Sequence, residues 1–200
     1  DRMMDIEAED EVVDIVRKQT KKVFNLSFDD ICEYEEISEP PRFGNILDTY
    51  GFYTDLDDDE LLEYLNKKVE EYNEEEENPK LSLIFNDFII QNILKILRVI
   101  SEPEGHIIMS GESGKCRQSI IRISAHIYQM ATIILGERDV TEYEIWKESM
   151  RTLIRSAGIE NKPTLLYVAL GESECSEFLR TLSSILSFGV DATMFEKNEI

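Results

Sequence analysis

The nine residues Gly111-Glu112-Ser113-Gly114-Lys115-Cys116-Arg117-Gln118-Ser119 restrict the possible folds more than any other part of this 200-residue chain. They follow an apolar run, Ile107-Ile108-Met109, and precede a helical pattern from Ile120 to Met130. A strand that feeds a helix through a glycine-bearing turn is where backbone amides and a helix N-terminus converge on a phosphate. The loop departs from the usual spacing of Gly, four residues, Gly, Lys and then Ser or Thr. Counted from Gly111, Cys116 stands at the second glycine, Arg117 at the lysine and Gln118 at the hydroxyl. Counted back from Gly114-Lys115, Met109 stands at the first glycine and Cys116 at the hydroxyl. Cysteine puts a side chain where backbone should face the ligand, and arginine keeps the charge without the compact ammonium. Glutamine does not replace a magnesium-binding hydroxyl, although Ser119 is near enough in sequence to contribute. Such a set is compatible with weak nucleotide binding and not with rapid hydrolysis.

The pattern around the loop alternates strands with helices. Helices are expected over residues 1–24, Asp59–Asn73, Phe88–Ile100, Gln118–Met130, Thr141–Ala157 and Ser176–Phe188. Thr141 with Glu144 three residues later reads as a capping box, and Gly158 and Gly189 read as the ends of the last two helices. Buried strands are expected at His106–Ser110, Thr132–Leu135 and Leu165–Leu170. Alternation of this length implies parallel βαβ units, and the apolar strands imply a sheet covered on both faces. Residues 25–57, punctuated by Pro40-Pro41, Gly44 and Gly51, read as irregular. The expected fold is α/β, a three-layer parallel sheet with flanking helices, preceded by a mostly helical or irregular acidic segment.

Charge divides the chain. Residues 1–80 carry 26 acids and 9 bases, against 16 acids and 12 bases in residues 81–200, so most of the net charge of −21 lies in the first part. A surface of that sign repels nucleic acid and anionic membrane, and no apolar run reaches transmembrane length. Cys32, Cys116 and Cys175 are odd in number and widely separated, and the chain has two histidines, His106 and His126, so no metal-ligand spacing exists. Free thiols in a reducing compartment are the simplest account. The chain opens without Met and stops at Glu199-Ile200, as an excerpt of a longer polypeptide would.

Several other features have ordinary explanations. Asp55 to Glu60 starts like a calcium loop, but Glu60 stands where glycine is required and Asn66 where the bidentate Glu is required, so the acids read as a helix N-cap cluster. Cys116 has no recognisable base partner, which argues against a nucleophile. Trp146, with Tyr143, Met150 and Ile154 at helical spacing, reads as packing, and His126 on an apolar helix as a core or surface histidine. A hydrolytic site also needs acids at the tip of a later strand, for magnesium and the attacking water. The candidate strand ends in Leu170-Gly171, with Glu172 and Glu174 beyond it, and these read as loop carboxylates.

An ordered set of landmarks resembles the fourth AAA+ module of dynein heavy chains. Leu83-Ile84-Phe85 precedes the first helix, and Arg98-Val99-Ile100 with Pro103-Glu104-Gly105-His106 leads into the strand. Arg117-Gln118-Ser119 is similar to the family's unusual loop ending; Arg155, Ala157-Gly158-Ile159 and Lys162-Pro163 precede the next strand; Phe178-Leu179, Ile185-Leu186 and Gly189 follow it. Asp1-Arg2, Phe28-Asp29-Asp30, Arg42-Phe43-Gly44 and Glu70-Glu71-Tyr72-Asn73 resemble the end of the third module and its link to the fourth.

The resemblance implies a boundary near residue 80. Residues 1–80 would be the end of the third module and an acidic linker, and residues 81–200 the large α/β subdomain of a degenerate fourth. It implies a microtubule motor, possession of a ring of six AAA+ modules, and a structural or regulatory task for this one. Nucleotide, ATP or ADP held weakly with magnesium doubtful, would meet Gly111, Gly114, Lys115, Arg117, Gln118 and Ser119, with Leu83, Ile84 and Phe85 on the adenine side. Leu170 and Glu172 would mark the degenerate acidic strand tip. Expected partners are the other modules of the same heavy chain and, through the parent protein, intermediate and light chains and microtubules, with no nucleic acid and no membrane. The expected place is the cytoplasm and cytoskeleton, with the loop ending leaning toward the ciliary axoneme. The alternatives are a nucleotide sensor that does not turn over, a motor-inactive dynein-like scaffold, and an acidic interaction domain.

Overall fold

The computed structural model describes residues 6–27, 42–48, 51–103, 105–111, 114, 116–171, 175–189, 191 and 194–195. The chain divides into two compact units, Asp1–Pro41 and Arg42–Ile200. In the first, helix α1 spans Ile6–Phe24, with Lys21 and Lys22 in its last turn, where cations suit the negative end of the helix dipole.

The second unit begins with two short antiparallel strands, β1 (Phe43–Gly44) and β2 (Thr54–Asp55), within the region expected to be irregular. Helix α2 (Asp58–Glu74) starts where the Asp57 carboxylate accepts from the amides of Asp59 and Glu60, both at 3.1 Å. The acidic cluster is therefore an N-cap, as its spacing suggested. Helix α3 (Asp87–Ile100) starts in the same way, with the Asn86 side chain accepting from Ile89 N at 2.9 Å. Arg42 ties both starts together, because its buried guanidinium pairs with Asp58 and with Asp87.

Helix α4 (Arg117–Ile127) leads into strand β3 (Ala131–Leu135); helix α5 (Tyr143–Gly158) leads into strand β4 (Thr164–Val168); helix α6 (Ser176–Phe188) follows. β3 and β4 pair in parallel, from Ala131↔Thr164 to Leu135↔Val168. Alternate β4 side chains serve two cores. Leu165 and Tyr167 pack on a cluster built from Leu61, Leu65, Ile90, Ile93, Leu97, Ile120 and Ile123 of α2, α3 and α4. Leu166 and Val168 pack on a second cluster with Leu135, Trp146, Met150 and Phe178. Helices thus cover both faces of the parallel pair, as the apolar strand sequences required.

Three expectations fail. Residues 106–110 form no strand, although Met109 packs on the first core; Ile108 is 99% exposed. A strand requires a hydrogen-bonded neighbour, and no ladder among the described residues includes this segment. Thr141 does not cap α5: it closes a 3₁₀ turn, Asp139–Thr141, and its hydroxyl donates to the Arg138 carbonyl at 2.7 Å. α5 starts at Tyr143 instead, with Glu142 at the cap making no side-chain hydrogen bond. Gly158 lies inside the helix it was expected to close, and Ile159 is the cap residue. Gly189 does end α6, in the left-handed conformation at φ 76°.

Candidate functional site

Helix α4 leads through Met130 into β3, so its C-terminus lies at the start of that strand and its N-terminus at the opposite end of the helix. The candidate loop enters α4 through Cys116, which adopts φ 56° and ψ 17°, the left-handed region that favours glycine. Arg117 is the first helical residue, and the first helical bond runs from Ile120 N to Cys116 O at 2.9 Å. In either register the second glycine position has positive φ, at Cys116 or at Gly114; counted from Gly111, Arg117 and Gln118 follow Cys116 as the first two helical residues. The other loop glycines also have positive φ, 153° at Gly111 and 84° at Gly114, and a β-carbon at Gly114 would meet nothing within 4 Å.

The Cys116 side chain does not cap the start of α4, and among the described residues no side chain accepts from the first-turn amides of Arg117, Gln118 and Ser119. Arg117 is half-buried, and its Nη1 donates to the carbonyl of Gly111. Gln118 is exposed and Ser119 half-buried. Open donors, a glycine turn and one guanidinium fit a phosphate group. Magnesium fits poorly at the loop, since Gln118 offers an amide in place of the hydroxyl; the described tip of β4, Ala169-Leu170-Gly171, has no acid of its own. Among the described residues no group of three or more His, Cys, Asp or Glu is placed to hold a metal.

Leu170 is 52% exposed at that tip. Lys115 and Glu172 lie outside the described residues. A carboxylate does reach the tip from the neighbouring strand: a β-carbon on Gly171 would sit 2.9 Å from Glu137 Cδ and Oε2. Sequence reading missed Glu137 because it looked for acids along β4 rather than across from it. The glycine at 171, which leaves room for that side chain, was the available signal.

The three adenine-side candidates are divided. Leu83 and Phe85 pack on the first core, and Ile84 is 83% exposed, so of the three only Ile84 faces outward. Asn73 holds the start of that segment, accepting from Leu81 N at 2.7 Å and donating to Leu81 O at 2.8 Å. Other candidates are structural. Trp146 is buried with its ring edge-on to Phe178, 5.6 Å between centroids, and His126 lies edge-on to Tyr72 at 5.4 Å. The thiols of Cys116 and Cys175 are free, the former exposed. A separate cleft of about 230 Å³, lined by Gly44, Asn45, Ile46, Tyr53, Leu97 and Arg98, lies at the C-terminal end of α3, and its Asn45 accepts from the Tyr128 hydroxyl at 3.0 Å.

Residues 81–200 match the family described as the P-loop containing dynein motor region D4. The chain belongs to the dynein heavy chains. It is 26% identical over 200 residues, its whole length, to dynein axonemal heavy chain 2 of Homo sapiens. It is 30% identical over 189 residues, 90% of its length, to dynein heavy chain-like protein 1 of Plasmodium falciparum. Over its whole length it is 24% identical to the cytoplasmic dynein heavy chain of Neurospora crassa. It spans 4% of the length of each of these relatives. In this dynein segment Cys116 is left-handed at the entry to α4, and Arg117 and Gln118 follow it in the first turn.

Proposed function

We propose that this segment is a ring element of a microtubule-based motor, in which the fourth module holds nucleotide weakly, does not hydrolyse it, and passes conformational change to its neighbours. The observation that carries the reading is the left-handed Cys116 followed by Arg117 and Gln118 at the start of α4. The backbone of a phosphate loop is kept, and the groups that orient magnesium and the attacking water are replaced. ATP or ADP would meet the amides at the start of α4, Gly111, Gly114, Lys115 and Arg117, with Ser119 the nearest hydroxyl. When bound, the nucleotide supplies charge that orders the loop; the protein's part is to cradle it.

Residues 81–200 would be the large subdomain of the module, and residues 1–80 the end of the preceding one. In the complete module further strands of the same polypeptide would pair with residues 106–110 and widen the β3–β4 pair into a three-layer parallel sheet. The ring's other modules are the immediate partners, with microtubules and the associated intermediate and light chains reached through the whole heavy chain. Axonemal names among the relatives support a place in the cytoskeleton of a cilium or flagellum, within the cytoplasm.

Titration calorimetry of the chain with ADP and ATP, with and without magnesium, is the test, together with a phosphate-release assay. The expected result is weak binding insensitive to magnesium and no phosphate release. Magnesium-dependent turnover would refute the proposal.

A further inference from the structure

Arg42 opens the second compact unit, and its backbone is held independently of its side chain. Its carbonyl accepts from Leu56 N at 2.8 Å, one step beyond the β1–β2 pairs Phe43↔Asp55 and Gly44↔Thr54. Leu56 is itself buried in the first core. From that fixed point the guanidinium, on a side chain only 8% exposed, reaches two carboxylates. Nη1 donates to Asp58, the first residue of α2. Nη2 donates to Asp87 Oδ1, on the first residue of α3, at 2.7 Å. Nε is buried and has no hydrogen-bond partner among the described residues. The arrangement is asymmetric, because the cation is buried while the Asp58 and Asp87 side chains are 48% and 71% exposed.

We propose that Arg42 is a two-point clasp that makes the starts of α2 and α3 open together rather than separately. A charge held out of water is tolerated only while its hydrogen bonds and counter-charges are in place. With Nε already unanswered, loss of either carboxylate leaves a buried guanidinium with one partner. Relief comes when the cation swings out to water, and that movement takes it from the second carboxylate as well. The carboxylates themselves lose little, since each is well solvated and lies at a helix start, where the dipole favours an anion. One side chain therefore couples two elements, and the coupling is reciprocal. Such a clasp gives a segment that passes conformational change a single element to move, yet the coupling itself requires neither a nucleotide nor a neighbouring module.

Amide hydrogen exchange of the chain, followed by NMR, tests this at Leu61 and Ile90. Their N–H groups make the first helical bonds of α2 and α3, to Asp57 O and Asn86 O, each at 2.9 Å. Asp87→Asn is the first variant, because the site is exposed and the Asn86 cap stays in place. It is expected to speed exchange at Leu61, on the other helix, about tenfold, the equivalent of about 1.4 kcal/mol, as well as at Ile90. Asp58→Asn should speed Ile90 as well as Leu61. Acceleration confined to the helix that carries the substitution would overturn the clasp. Arg42→Met then separates coupling from plain stabilisation. It removes the desolvated cation and leaves only solvated carboxylates, so both amides should speed up while the urea midpoint of the chain holds or rises. A lower midpoint, with slow amides throughout the chain accelerated alike, would make Arg42 a stabilising residue only and overturn the clasp as well.

Discussion

At the scale of single residues, Cys116 stores strain that glycine would release. A non-glycine residue in the left-handed region costs about 1–2 kcal/mol, part of which is returned through the greater freedom of glycine in the unfolded chain. Cys116→Gly is therefore expected to stabilise the chain by about 0.5–1 kcal/mol, seen as a higher urea midpoint with unchanged slope. An unchanged or lower midpoint would show that the left-handed backbone costs nothing here. A pH effect belongs to this scale too. Lys68 donates to Glu71 at 2.6 Å, and this hydrogen bond holds the Glu71 carboxyl below its ordinary value. A lowered carboxylate pKa contributes stability above the unfolded-state value, and that contribution is lost as pH falls through the folded-state value. In Lys68→Met the Glu71 titration followed by NMR should move up toward the ordinary carboxylate range; no movement would assign the shift to another group.

At the scale of elements, helix starts depend on side chains that can be named. Asp57→Ala removes the acceptor for two first-turn amides of α2 and should cost about 1 kcal/mol, measured as a fall in thermal or urea stability. Asp57→Asn, which keeps an acceptor, should restore most of it. This cap was legible in the sequence because acceptor and amides are three residues apart or less. Thr141 was misread although its partner is equally near: the carbonyl of Arg138, three residues upstream, took its hydroxyl into a 3₁₀ turn. Residues 106–110 have the apolar composition of a strand, but composition says nothing of who pairs with whom. β1 and β2 went unseen because two-residue strands leave no alternation to read. The left-handed backbone at Cys116 was likewise hidden, since no glycine stands there to announce it.

At the scale of the whole molecule, charge and core architecture set the behaviour. A net charge of −21 destabilises any compact state by self-repulsion. Raising ionic strength from about 0.01 M to about 0.15 M shortens the screening length from about 30 Å to about 8 Å. The melting temperature should rise across that range, by about 2 °C for each 0.5–1 kcal/mol of repulsion relieved. A flat or falling melting temperature would mean that favourable ion pairs such as those of Arg42 outweigh the repulsion. The two-sided covering of β4 was legible from its unbroken apolar run, whereas the assignment of alternate residues to separate clusters was not. That arrangement has a consequence for how the chain comes together during synthesis. Helices α2, α3 and α4 emerge first with one wall of their core missing, and α5 follows lacking its own. When Thr164–Val168 arrives, one five-residue ribbon closes the first interior and supplies a wall of the second, which is completed only when Phe178 of α6 follows, so β4 hands assembly on from one half to the other.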